Sequence, residues 1–180
     1  MDDRTDRFAR VFEAGYRPLL EYARRRTAGV AEADDVVAEV LAIAWRRLDD
    51  VPPGAELAWL YGVARRVLAN ERRGAARRRR LLERAARLRP VADPADADAD
   101  AEPGPGGGVL AALGRLPAGD REILRLAAWE GLEPRDIAVV LGCSANAAAL
   151  RLSRARRRLR RQLTGSDGIR TRGSWRVTDA

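Results

Sequence analysis

The segment Glu133–Leu159, EPRDIAVVLGCSANAAALRLSRARRRL, decides how the chain is read. It predicts a helix, a tight turn and a second, strongly basic helix. Pro134 suits a first helical turn, where a missing N–H costs nothing. Ile137, Ala138 and Leu141 share a face. Gly142 ends that helix, because it enters the left-handed conformation without steric cost. Ser144 is a good N-cap for the next helix. There Ala148, Leu152, Ala155 and Leu159 recur at i, i+4, i+7 and i+11, one narrow apolar stripe. Asn146, Leu150, Ser153, Arg154, Arg157 and Arg161 lie opposite. This is the pattern of a helix-turn-helix, whose second helix enters the DNA major groove.

The charge balance agrees. The chain has 180 residues and a net charge of +8, and all 34 basic residues are Arg. Arg suits planar recognition of phosphates and base edges. A chain without His and with a single Cys leaves no basis for zinc ligation or for Ser-His or Cys-His catalysis. No intramolecular disulfide is possible, which fits a reducing cytoplasm. No run reaches the ~20 apolar residues of a membrane helix. The first residues, MDDRTDRFAR, lack a signal peptide's apolar core. The expectation is a cytoplasmic protein with no membrane contact of its own, no cofactor and no metal.

Working outward, the fold class is all-α: two small helical domains joined by a flexible, acidic, Pro/Gly-rich linker. Residues 1–89 form the first domain. Phe8, Val11, Phe12, Gly15, Tyr16, Leu19, Leu20 and Ala23 predict one helix over 1–28. A second spans 31–48, with Val36, Val37, Val40, Leu41, Ala44 and Leu48 on its apolar face. Asp35 and Glu39 lie on the opposite ridge; alone, they read as a solvated face with like charges one turn apart. The prolines and glycine of DDVPPGAE, 49–56, break the helix. A third helix starts at Glu56 and becomes strongly basic. Leu57, Leu60, Tyr61, Ala64, Val67 and Leu68 make its apolar face, so Trp59 or Tyr61 taken singly reads as core; together beside Arg65 and Arg66 they suit single-stranded nucleic acid, where bases stack and phosphates pair. Residues 90–108 form the linker, with five acids and no base; such a stretch cannot bury enough apolar surface to fold. Residues 109–164 form the second domain, in which Asp120 is the expected cap of a helix ended by Gly131. Residues 165–180 lack helical period and are expected to be a disordered tail.

Four segments in order resemble the short two-domain sigma factors of bacterial RNA polymerase, the extracytoplasmic-function group of the sigma-70 family. Asp34-Asp35-Val36-Val37-Ala38-Glu39-Val40-Leu41 with Ala44-Trp45 is similar to the helix that docks the polymerase core. Ala58-Trp59-Leu60-Tyr61-Gly62-Val63-Ala64-Arg65-Arg66 resembles the promoter-melting helix. Leu116-Pro117 through Arg121-Glu122 to Glu130-Gly131-Leu132 looks like the entry to the second domain. Ser144 to Ala148 with Arg151 to Arg156 looks like the recognition helix. The resemblance covers residues 5–163.

The resemblance implies a promoter-specific initiation subunit with no catalytic residues. Its partners are the core polymerase (β′ and β subunits), promoter DNA as duplex and as melted single strand, and an anti-sigma factor. It makes Asp35, Glu39 and Arg46 the polymerase-docking residues, with Ala38 where the family often has Gln. The first domain (region 2) then reads the −10 element through Trp59, Tyr61, Arg65 and Arg66, with loop 49–56 forming a base pocket. The second domain (region 4) reads the −35 element. Asn146 suits adenine, Ala149 and Leu150 a thymine methyl, Arg154 guanine. Ser144, Ser153, Arg135, Arg151 and Arg157 complete that surface, the arginines as phosphate holders. Two other classes remain distinguishable. A helix-turn-helix regulator has no need of a docking ridge and a melting helix. A metal nuclease on Asp34, Asp35 and Glu39 lacks a further ligand to complete a site.

Overall fold

The computed structural model describes residues 3–86 and 107–170. Seven α-helices and no strand occur among them: α1 (Asp3–Arg24), α2 (Val30–Arg46), α3 (Glu56–Ala86), α4 (Gly107–Gly114), α5 (Ala118–Ala128), α6 (Pro134–Leu141) and α7 (Ala145–Arg170). Helices α1, α2 and α3 pack on one another, and α7 packs on α4, α5 and α6. The predicted linker falls almost wholly outside the described residues, as do Trp175 and residues 171–180.

Helix ends follow local chemistry. Gly142 takes φ 64° and Gly131 φ 65°, the left-handed region that glycine enters freely. The Ser144 hydroxyl accepts a hydrogen bond from the Ala147 N–H at 3.2 Å, as a capping residue should. Three boundaries depart from expectation. Helix α1 stops at Arg24, because Thr27 donates its hydroxyl to the Ala23 carbonyl and closes the turn there. Asp120 is not a cap: α5 starts at Ala118, and Asp120 pairs instead with Arg158 of α7. Helix α7 continues to Arg170, beyond the expected start of the tail at 165. Propagating a formed helix costs little, and the Thr164 hydroxyl bonds back to the Arg160 carbonyl.

The sequence suggests two bodies on a strap; the structure packs them together. Helix α3 crosses α6, and one continuous apolar core runs through both groups. Gly62 permits the crossing. A Cβ there would lie 3.5 Å from the Val140 Cα and carbonyl oxygen, ordinary contact with no room for more. Beside it, α1 reaches to α5 and to the turn that follows it. The Tyr22 hydroxyl donates to Glu122 at 3.2 Å. Arg26 pairs with Glu130 at 3.0 Å and lies 3.5 Å from Glu122, while its guanidinium stacks over the Tyr22 ring at 3.6 Å. Arg25 takes the second Glu130 oxygen at 2.5 Å. The Arg26 and Glu130 side chains are 3% and 1% exposed, so neither charge has water to fall back on.

Two tests follow from this packing. Gly62→Ala leaves it intact and favours the helix by up to about 1 kcal/mol. Gly62→Leu overpacks the crossing at about 1–3 kcal/mol, and the radius of gyration from small-angle scattering rises while helicity is unchanged. An unchanged radius rejects this account. The second test is alkaline titration. Burial, with Glu122 next, pushes the Tyr22 phenol well above its ordinary value. Burial, with Glu130 next, pushes Tyr61 up to about 12. The unfolded chain loses these protons near pH ~10. The associated stability is therefore complete below that pH and is lost as pH rises through 12. Thermal melts at pH 9 and 11 with phenolate absorbance check the sign.

Candidate nucleic-acid interface

Three surfaces carry the candidate residues. The first is on α2. Its buried face is Ala33, Val36, Val37, Val40, Leu41 and Ala44, which leaves Asp35, Glu39 and Arg46 exposed along one ridge. Glu71 of α3 joins this field. Partial burial, then Glu39, Glu32 and Asp35, raises its carboxyl above the usual range. The exposed Ala38 leaves a bare place beside the ridge. No group of three or more His, Cys, Asp or Glu able to hold a metal occurs among the described residues.

The second surface lies where loop 49–56 meets α1 and α3. The loop is pinned rather than free. Arg7 donates to the Val51 carbonyl at 2.8 Å, and Arg4 donates to the Trp45 carbonyl at 2.6 Å while pairing with Asp49. Leu48 and Val51 are buried, and Glu56 accepts the Gly54 N–H at 2.9 Å. Between loop and helices opens a cleft of about 500 Å³, lined by Arg7, Arg10, Val11, Ala14, Gly15, Pro53, Glu56, Leu57 and Leu60. Gly15 keeps α1 close to α3: a Cβ there would meet Leu60 Cδ1 at 2.5 Å.

The four −10 candidates do not share one setting. Arg65 and Arg66 are exposed, and Trp59 is half-buried against the core. Tyr61 is 2% exposed and stacks on Tyr22, with ring centroids 4.8 Å apart. Its ring lines a small cleft with Trp129 and Glu130 at the boundary between the two helical groups. Periodicity alone placed Phe12 and Tyr16 on the apolar face of α1, yet both stay 40% exposed and stack on each other at 5.2 Å.

The third surface is the N-terminal half of α7. Ala148, Leu152 and Ala155 are buried against the rest of the domain. Asn146, Ala149, Leu150, Arg151, Ser153, Arg154 and Arg157 are exposed, with Leu150 at 52%. Arg135 sits at the start of α6 beside Glu133 and Asp136. The Ser144 hydroxyl is committed to the helix cap. A helix-turn-helix thus presents a continuous exposed face, polar except for Ala149 and Leu150. Sequence reasoning missed Arg25, Arg26, Glu122 and Glu130, since charged residues near helix ends give no sign of distant partners. The aromatic Tyr22, placed among arginines on α1, was the one available clue.

Comparison with known proteins agrees with this layout. Residues 11–79 match the family described as Sigma-70 region 2, and residues 107–159 match Sigma-70, region 4. The chain belongs to the extracytoplasmic-function sigma factors. It is 32% identical to the ECF RNA polymerase sigma factor SigL of Mycobacterium tuberculosis, over 79% of this chain and 80% of SigL. It is 34% identical to the RNA polymerase sigma factor CnrH of Cupriavidus metallidurans, over 78% of each. The chain spans 43% of a longer relative, the probable sigma factor RfaY of Xanthomonas campestris. The structure of the sigma factor RpoE with the anti-sigma factor NepR from Bartonella quintana superposes with a TM-score of 0.52 at 26% identity, over 91% of this sigma factor and 98% of that chain.

Replacing Arg26 by Ala in this sigma factor leaves the Glu130 carboxylate buried with only Arg25. Breaking a buried pair costs about 3–5 kcal/mol. The expected outcome is a matching fall in stability by denaturant titration, larger than for Arg25→Ala.

Proposed function

We propose that this chain is the dissociable promoter-recognition subunit of a bacterial RNA polymerase, and that its three surfaces divide the work. The observation that carries the reading is their occurrence, in sigma order, on one chain: an acidic ridge, a pinned cleft and a helix-turn-helix. The ridge of Asp35, Glu39 and Arg46 docks the β′ coiled coil of the core enzyme, with further contacts to β. The cleft beneath loop 49–56 takes a −10 base turned out of the duplex. Trp59 stacks near it, and Arg65 and Arg66 hold the strand. Unstacking a base step costs about a few kcal/mol, which stacking and phosphate contacts offset. The recognition helix α7 reads the −35 duplex through Asn146, Ala149, Leu150, Ser153 and Arg154. Arg135, Arg151 and Arg157 set its register on the phosphates, and Ser144 holds the helix end.

Both elements cannot be held by the packed arrangement. The −35 and −10 positions lie about 85 Å apart along a duplex at ~3.4 Å per base pair, whereas α3 and α6 touch. The two domains therefore part on promoter binding. Parting also uncovers the edge of Tyr61. An anti-sigma factor, the partner named in the RpoE–NepR structure, acts on this chain by favouring the packed arrangement. The subunit has no catalytic centre of its own and works in the cytoplasm with the polymerase. No single helix among the described residues is long and apolar enough to cross a membrane.

Run-off transcription with core polymerase and genomic fragments tests the reading. The wild-type chain yields defined start sites; none at all would refute it. Reversing Asp35 and Glu39 to Arg abolishes both core binding and transcript without loss of helicity. At the −35 element, Asn146→Ala costs about 1–3 kcal/mol and relaxes the adenine preference at one position. Arg157→Ala weakens all sequences alike and lowers the salt slope by about 1.

A further inference from the structure

The boundary between the two helical groups holds more positive charge than its ion pairs use. A cleft of about 220 Å³ opens there, lined by Arg26 beyond α1, by Arg65 and Arg72 of α3, and by Ala118, Gly119 and Glu122 of α5. Three guanidinium groups thus face one carboxylate. Among the described residues Arg65 makes no ion pair or hydrogen bond. Arg72 makes one hydrogen bond, to the Arg26 carbonyl at 3.3 Å.

Buried N–H groups at this boundary also lack acceptors. The Arg26 side chain is 3% exposed, yet its Nε makes no hydrogen bond. Its Nη2 lies 3.5 Å from Glu122, in ion-pair range but without hydrogen-bond geometry. The Nε of Arg125, on the next turn of α5, is buried and unpaired as well. Burial, and then Arg26, hold the Arg125 guanidinium below its ordinary value. A buried donor left unpaired is costly, and here several point to the same want of negative charge.

The start of α5 bounds the same cleft. Its first N–H groups, at Ala118 and Gly119, have no acceptor within the helix. Pro117 precedes them, and no side chain caps this end. Asp120, the acid of the first turn, is drawn off to Arg158. A Cβ on Gly119 would meet nothing within 4 Å, so the turn has open space before it.

We propose that this cleft binds a small phosphate-type anion, held between the guanidinium groups of Arg65 and Arg72 and the first N–H groups of α5, with Arg26 behind them. Guanidinium forks match phosphate oxygens, and a helix N-terminus favours the same group. The volume lies below the ~300–1,000 Å³ of a drug-sized site. It suits phosphate, pyrophosphate or the phosphoryl end of a compact metabolite. A DNA phosphate offers the same chemistry, but the walls of the cleft come from different domains, which favours a free anion. Such an anion binds only the packed arrangement and stabilises it by mass action. It also occupies Arg65, so that on the sigma reading it opposes promoter engagement; the binding itself does not rest on that reading.

The test uses the full chain at fixed ionic strength, with sodium pyrophosphate as the probe and sodium chloride as the control. Calorimetry gives Kd and thermal melts give the shift. At about a hundred times Kd, pyrophosphate is expected to raise Tm by about 5–10 °C over chloride. Arg72→Gln and Gly119→Asp each weaken binding at least tenfold. The second puts a carboxylate in the first turn of α5, where it favours the helix, so loss of folding does not confuse the result. Arg77→Gln, at an exposed site on α3 outside the cleft, keeps wild-type affinity. A shift no larger than that of chloride overturns the site, as does wild-type affinity in both cleft variants. Equal losses in Arg77→Gln and Arg72→Gln overturn it too and assign the anion to the general field of α3. An oligonucleotide that binds with the same dependence on Gly119 overturns the free anion and gives the cleft to the DNA backbone. Failure of the sigma reading is separate: run-off transcription then lacks defined start sites while pyrophosphate still binds.

Discussion

Arg26 is the point on which the arrangement turns. It sits just past the end of α1 and is almost fully buried, between the Tyr22 ring and the carboxylates of Glu122 and Glu130 from the second domain. A guanidinium removed from water is stable only if its partners are held in place. Those partners come from α5 and the turn after it, so the ion pairs are satisfied only when the two helical groups are packed. The Gly62–Val140 crossing supplies the apolar half of the same contact. Together they turn two small domains, each with a modest core, into one packed body.

That packing sets the state of each functional surface. The acidic ridge on α2 and the exposed face of α7 point to solvent, so both are open in the packed form. The candidate −10 surface is divided: its cleft and Arg66 are open, while Tyr61 faces the domain boundary with Glu130. Under the proposed function, a subunit packed in this way meets polymerase or a −35 duplex but does not span a promoter. On that proposal the strength of the buried ion cluster becomes a term in promoter engagement, because it is given up when the domains part.

Charge is segregated along α3 in the same spirit. Toward α2 the helix shares an acidic field, strong enough to raise the Glu71 carboxyl. On the side that continues from Trp59 and Arg66 it is arginine only. One helix thus carries an acidic field on the side toward α2 and arginines on the other.

The sequence alone determined the helices, their order, the helix-turn-helix and the family. Those features depend on local rules: apolar residues at 3.6-residue spacing, glycine where φ is positive, serine at a cap. It also showed that Asp35 and Glu39 of α2 and the polar residues of α7 are exposed, because a residue opposite a buried stripe faces solvent. Periodicity failed where two faces of a helix are both apolar or both contacted. Phe12 and Tyr16 continued the apolar period of α1 yet lie outside its core, whereas Tyr61, which the period put on the apolar face of α3, is buried as that period requires. Only the tertiary structure decided that the two domains pack, because the contact joins residues about a hundred positions apart, Arg26 with Glu130 and Tyr22 with Glu122. A charged side chain in a sequence shows its sign but not its partner, and burial of that partner is a property of the whole fold.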